Sequence, residues 1–227
     1  MLIYDQFVFL HVPKTAGMFL TDAFGDELGP PDATFERHSG WNEIPDWAVG
    51  RPALMYVRNP WEWYVSWYRY LTESVFTAHP PDRVRRDHWV RILFGDDFEI
   101  AGDELRAIND FATTVRKACG GLDLEHPALL ELLERRDPQA RLVAAGNDFY
   151  TAELLRIAGG GFDSDLLTVG RFESLFDDLE RFVERNGIAL DGGALRDLVD
   201  RSCRALIERF GYRFVPPVSP MARESAQ

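Results

Sequence analysis

The sequence predicts an α/β fold, a three-layer arrangement of a parallel sheet with helices on both faces. Three observations lead there. Short, continuously apolar runs at residues 7–12, 53–57 and 166–169 have the make-up of strands buried on both sides. Each is followed, after a short connection, by apolar residues at helical spacing. The runs lead into Pro13-Lys14, Arg58 and Gly170-Arg171, so the first, second and last junctions all set a cation at one rim of the sheet. In such sheets ligands gather at the carboxyl ends of the strands.

The first strand, residues 7–12, stops at Pro13, and Leu20, Ala23, Phe24 and Leu28 recur as one helical face over 18–28, with Gly25 a weak point. Gly29-Pro30-Pro31-Asp32 makes a turn, and residues 33–50 are irregular, polar and aromatic. After the strand at 53–57, Asn59 is placed as N-cap, Pro60 in the first turn and Glu62 three residues past the cap. That helix carries Tyr64, Trp67, Tyr68 and Leu71 on one face. Residues 82–158 read as several helices broken at Gly95, Gly120-Gly121, Pro127, Pro138 and Gly146. A further core strand at 166–169 precedes helices near 174–186 and 193–210. One domain over residues 1–215 is expected, with a frayed tail over 216–227.

At 227 residues and 46% hydrophobic, the chain can bury one large core. No apolar run approaches the roughly 18 residues of a membrane span, and the first hydrophobic run lacks the design of a secretory signal. Cys119 and Cys203 show neither disulfide-framework nor zinc spacing, which makes a reducing cytoplasm the expected compartment and gives no metal site. The formal charge of −12 argues against nucleic acid and polyanionic partners. The cluster Arg83, Arg85, Arg86 and Arg91 is interleaved with acids and reads as a solvated helix face.

A small anion is a different matter, because a few cations and backbone amides hold it despite an acidic exterior. Lys14 stands out: of 25 basic residues all are arginine except Lys14 and Lys117. A compact ammonium suits a crowded phosphate loop better than a planar guanidinium does. The amides of Thr15, Ala16 and Gly17, at the start of a helix, make a cradle beside it. GxxxxGK[ST] is absent, which removes the main support for an ATP phosphotransferase. Arg58 with Ser66 forms the second half of an anion site, the guanidinium gripping phosphate bidentately and the hydroxyl adding a bond.

These residues resemble the sulfotransferase superfamily, whose members transfer a sulfuryl group from 3′-phosphoadenosine 5′-phosphosulfate (PAPS). His11-Val-Pro-Lys-Thr-Ala-Gly17 is similar to the family's 5′-phosphosulfate loop. Val57-Arg-Asn-Pro-Trp-Glu-Trp-Tyr-Val-Ser-Trp-Tyr68 is similar to its 3′-phosphate motif, with Arg58 and Ser66 at the binding positions. Val169-Gly-Arg-Phe-Glu-Ser-Leu175 and Phe210-Gly-Tyr212 resemble later stretches of bacterial members, while residues 72–160 add nothing to the likeness. The resemblance implies a P-loop-NTPase-like sulfotransferase fold and PAPS as donor, without a metal. It implies a cofactor site of Pro13, Lys14, Thr15, Ala16, Gly17, Met18, Phe19, Arg58, Ser66 and Arg171. Two positions depart: Met18 stands where relatives carry a Thr or Ser hydroxyl, and Trp63 where many carry arginine. Phe19 occupies the place of an adenine-stacking tryptophan, and reads equally as a core residue.

Lys14 and His38 are the expected catalytic residues. By the resemblance, Lys14 neutralises charge on the leaving bisphosphate, and His38, in Arg37-His38-Ser39, takes the acceptor's proton. Glu36 and Glu43 are carboxylate alternatives for that base. His11 is expected to pack at the strand end, and His79, His88 and His126 to be surface or helix residues. The acceptor is expected to be a hydroxyl on a sugar, a lipid or a small natural product, with Trp41, Trp47, Trp61, Trp63, Trp67 and Tyr70 as its candidate contacts. A nucleotide-binding or interaction protein without turnover is the alternative.

Overall fold

The computed structural model describes residues 1–73, 88–93 and 111–190. Strand β1 (Leu2–Ile3) turns back into β2 (Val8–Leu10), with the Tyr4 N–H donating to Phe7 O at 2.9 Å. Helix α1 (Gly17–Leu28) follows the loop after β2 and ends at Gly29, whose φ of 79° suits glycine. Strand β3 (Ala33–Thr34), two single 3₁₀ turns at Trp41–Glu43 and Asp46–Ala48, and β4 (Ala53–Val57) come next.

Helix α2 (Pro60–Glu73) begins as its sequence dictates, with Asn59 Oδ1 accepting from the Trp61 N–H at 3.0 Å. Helices α3 (residues 88–93) and α4 (residues 111–116) are followed by a π-helical turn at Lys117–Gly121, where Gly120 has a φ of 131°. Helices α5 (Pro127–Glu134) and α6 (Pro138–Ala144) each carry proline in the first turn, capped by His126 and Asp137. Asp148 caps α7 (Phe149–Ala158), and β5 (Leu167–Arg171) then leads into α8 (Leu175–Asn186).

Among the described residues five strands lie in the order β3-β1-β2-β4-β5. Only the central and right-hand part of the sheet is parallel: Leu10 of β2 faces Met55 of β4, and Val57 of β4 faces Arg171 of β5. β1 runs antiparallel to both β2 and β3, so the all-parallel sheet expected from sequence is corrected to a mixed one. The reason is local, since a hairpin as short as β1–β2 pairs only antiparallel. The expected core strand at 166–169 is corrected too. Among the described residues β5 lies at the sheet edge, Val169 is 39% exposed, and of its positions only Gly170 is buried, where the Tyr56 ring fills the space of a Cβ.

Alternation along β2 divides the core. Phe7 and Phe9 meet Phe24 of α1 edge-on at 5.3 Å each, and Phe7 meets Phe182 of α8 at 5.7 Å. Val8 and Leu10, on the other side, cluster with Met55, Ile157 and Ala158. A second cluster joins α2 and α3 to the helices from α5 to α7 through Trp63, Trp67, Trp89, Leu129 and Phe149. Among the described residues no helix is long and apolar enough to cross a membrane.

The chain divides into Met1–Ala189 and Leu190–Gln227. The expected helix near 193–210, the Phe210-Gly-Tyr212 stretch and the tail over 216–227 lie outside the described residues, as do His79, Arg83, Arg85, Arg86, Gly95 and Cys203. His88 is a residue of helix α3, buried, with its Nε2 2.9 Å from Glu131 Oε2.

Candidate functional site

The loop after β2 takes a backbone course that its residue types would not choose by themselves. Lys14 and Ala16 both have a φ of 64°, whereas Thr15 and Gly17 between and after them stay negative. Alternation of this kind turns successive N–H groups toward a common centre, an anion-binding concavity. Holding a non-glycine residue there costs about 1–2 kcal/mol each. The loop opens directly into α1, whose N-terminus has no side-chain cap and no acidic residue in its first turn. Uncapped first-turn amides of this kind are able to hold an anion.

Two contacts hold the loop in place. The Thr15 hydroxyl donates inward to Val12 O at 2.9 Å, and Thr15 is 1% exposed. Its hydroxyl is therefore turned away from the outer face of the loop, where Met18 is 49% exposed. Gly17 is required for space: a Cβ on it would collide with the His11 imidazole. His11 is buried, and burial, reinforced by His38 and Arg37, lowers its pKa to about 3. It is a neutral packing ring at any ordinary pH, as its place at the strand end predicts. Gly17→Ala is expected to cost about 1–3 kcal/mol in urea unfolding through overpacking. His11→Ala in the same chain should recover part of that loss, and strictly additive losses would show that the imidazole is not the obstacle.

Arg58, immediately after β4, is gripped through its backbone by Tyr150 of α7. The Tyr150 hydroxyl accepts from the Arg58 N–H at 2.8 Å and donates to its C=O at 2.9 Å. Burial raises the Tyr150 pKa, which keeps that hydroxyl protonated and able to donate. The guanidinium lies 4.3 Å over the Phe172 ring, reaches Glu62 Oε2 at 3.2 Å and approaches Lys14 O at 3.5 Å. Glu62 thus serves Arg58 instead of closing a capping box. The Asn59 N–H donates to Glu173 Oε1 at 2.6 Å in its place.

Trp63, one of the two departures from the family pattern, has a structural task. It is fully buried, stacks on Tyr150 at 4.4 Å and on Trp67 at 5.5 Å, and donates its indole N–H to Pro13 O at 2.8 Å. An arginine could not fill this slot without burying a charge. Trp63 therefore ties α2, and with it Ser66, to the loop that carries Lys14.

His38 lies where the chain between the motifs folds back over the loop. Its ring is edge-on to His11 at 5.0 Å, and its Nδ1 sits 3.1 Å from His11 O. A carbonyl only accepts, so Nδ1 carries the hydrogen and the lone pair of the neutral ring belongs to Nε2. The backbone of His38 is fixed from α7, where Arg156 Nη1 donates to His38 O at 2.8 Å. Arg156 is itself held by buried Glu153, at 2.7 and 3.1 Å, and this pairing outweighs burial to raise the Arg156 pKa.

These groups meet at two adjoining cavities. The inner one, of about 350 Å³, brings together Pro13, Lys14, Ala16, Gly17, Met18, His38, Arg58 and Ser66, with His11 and Arg37. Trp63, Trp67, Tyr70, Trp89, Gln139, Phe149 and Glu153 complete its wall. The outer cavity, of about 440 Å³, shares Lys14, Arg58, Ser66 and Tyr70 and adds Glu62, Val65 and Arg69. Lys14 stands at the junction, with its Nζ 4.7 Å over the Tyr70 ring. Three residues expected at the cofactor site line neither cavity. Thr15 is turned inward; Phe19 meets Phe176 edge-on at 6.2 Å; and Arg171 has an exposed side chain, its N–H donating to Asp178 Oδ2 at 2.7 Å. From that strand end it is Phe172 and Glu173 that reach Arg58 and Asn59. Glu36 and Glu43 line neither cavity either, and Glu43 Oε2 accepts from the Gly40 N–H at 2.6 Å.

Arg69, Gln139, Glu153 and Trp89 belong to the site and were not singled out for it by the sequence. Arg69 had a signal, three residues past Ser66 on the same helical face. The other three come from helices that only the tertiary fold brings near. Against known proteins, no family model, no curated protein and no solved structure matches this chain.

Proposed function

We propose that the protein is a sulfotransferase on a P-loop-like fold, using PAPS and a hydroxyl acceptor and releasing 3′-phosphoadenosine 5′-phosphate. The observation that carries the reading is the pairing of two separate anion grips at one junction. The alternating backbone at Lys14–Gly17 provides one, and Arg58 with Ser66 provides the other. A nucleotide with phosphate groups at both its 5′ and 3′ positions needs that pairing, whereas a single phosphate chain does not. The residues fit the donor: the cradle has no side chain at Gly17, and the cations border both cavities.

When bound, the donor supplies the sulfuryl group. The amides of Ala16 and Gly17 with α1 hold the 5′ end, Lys14 places charge beside the departing oxygen, and Arg58 and Ser66 hold the 3′-phosphate. His38 Nε2 receives the proton of the acceptor's hydroxyl, while Arg156 keeps the His38 backbone in place. A binding protein without turnover is the second reading, favoured by Met18 and by the inward Thr15 hydroxyl.

A thermal-shift comparison of adenosine 3′,5′-bisphosphate with ATP tests the donor. At 100 times its dissociation constant the bisphosphate should stabilise by about 2.7 kcal/mol, with ATP well behind. Arg58→Ala should weaken the bisphosphate about tenfold or more, through a lost bond to a charged group, and affect adenosine 5′-phosphosulfate far less. Equal losses for both would mean that Arg58 does not read the 3′-phosphate. Bisphosphate binding without turnover across an acceptor panel would establish the second reading.

A further inference from the structure

The Nε/Nη2 edge of a guanidinium can grip a phosphate with two parallel bonds. In Arg58 that edge is occupied by a carboxylate. Nε lies 3.4 Å and Nη2 3.2 Å from the same atom, Glu62 Oε2, while Nη1 turns the other way, toward Lys14 O at 3.5 Å. One oxygen shared between two donors at these lengths is a loose pairing. Two phosphate oxygens can meet the same two donors separately, at about 2.7–2.9 Å.

Arg58 does not need Glu62 to hold its pose. Its backbone is bonded in both directions to the Tyr150 hydroxyl, and its guanidinium lies over the Phe172 ring. The Arg58 side chain is 19% exposed and that of Glu62 56%. The pair is therefore unequal: the fold fixes the cation, whereas the carboxylate stands on the open face of α2 and can turn into solvent by a change of rotamer. No cap is lost when it does so, because Glu173, and not Glu62, accepts from the Asn59 N–H. Ser66 lies one turn beyond Glu62, and both border the outer cavity with Lys14, Arg58 and Arg69. A phosphate bonded there to Ser66 and to this edge of Arg58 takes the place of the Glu62 oxygen.

We infer that Glu62 is a displaceable counter-ion of the Arg58 grip, given up to an entering phosphate monoester and taken back when that phosphate leaves. This rests on the sulfuryl-transfer reading, in which the entering group is the 3′-phosphate, and adds to it a residue that sets the strength of the grip. The exchange lowers affinity for the bisphosphate, since the new bond to Arg58 forms at the expense of an existing ion pair. It still favours the ligand, because a terminal phosphate carries about −1.5 to −2 charge at neutral pH against −1 for a carboxylate. A nucleotide without a 3′-phosphate leaves the pair intact.

Isothermal titration of the full chain with adenosine 3′,5′-bisphosphate and with adenosine 5′-phosphate tests the inference, on native protein, Glu62→Gln and Glu62→Ala. Both variants are expected to bind the bisphosphate about two- to fivefold more tightly, the range covered by an exposed ion pair that no longer has to be broken. The 5′-phosphate should bind all three chains alike. In an Arg58→Ala background the gain from Glu62→Gln should vanish. Weaker bisphosphate binding in the variants would mean that Glu62 orients Arg58, and overturns the inference. An equal gain for both nucleotides, or a gain that survives Arg58→Ala, reduces the effect to general charge and overturns it too. Bisphosphate binding on the native chain with no gain in the variants refutes the role of Glu62 alone. A native chain that binds no bisphosphate removes the sulfuryl-transfer reading and the inference with it.

Discussion

Lys14→Ala is expected to lower kcat for sulfuryl transfer by about a hundred- to a thousandfold, the usual cost of removing one group that stabilises developing charge. Folding should hardly change. The ammonium lies 4.7 Å over the Tyr70 ring, and a contact of that kind contributes about 0.5–1 kcal/mol. Alanine at position 14 keeps the same left-handed backbone requirement as lysine, so the loop retains its course. Turnover from PAPS and the urea midpoint, measured on the same preparation, separate the two effects. Ordinary turnover in the variant would end the transferase proposal, whereas lost turnover with a lost fold would show that the side chain has a structural task.

His38→Gln is expected to reduce kcat by about two to four orders of magnitude, the range for a positioned general base. Its KM for the donor should move little, because the anion grips lie on Lys14, Arg58 and Ser66. Glu36→Gln and Glu43→Gln serve as the comparison. Neither carboxylate borders a cavity, and Glu43 is occupied by the Gly40 amide, so both variants should keep kcat within a few fold. A collapse of turnover in either of them, with His38→Gln still active, would move the base to a carboxylate.

What could be read from the chain in advance divides along physical lines. The parallel strands β2 and β4 were legible because buried strands are continuously apolar and end abruptly, at Pro13 and Arg58. The starts of α2, α5 and α6 were legible because proline in a first turn is a local signal. β1 and β3 were not, since strands of two residues carry no periodicity and exist only through pairing with neighbouring strands. At the site, Lys14, His38, Arg58 and Ser66 do border one cavity, as the strand-end rule and the motifs imply. The direction of the Thr15 hydroxyl, the anchoring of His38 by Arg156 and the joining of Trp63 to Pro13 were hidden. Each depends on which carbonyl lies within reach, and no spacing in the sequence encodes that.

The bond from Trp63 to Pro13 carries one more consequence. It links the first turn of α2 to the Lys14 loop, while Tyr150, stacked on the same indole, grips the Arg58 backbone. The gap between the two anion grips is then a dimension of the protein, set before any ligand arrives. Under the proposed function such a site would work as a caliper, selecting by the distance between two negative groups on a ligand, and a nucleotide of equal total charge but different span is expected to bind less tightly.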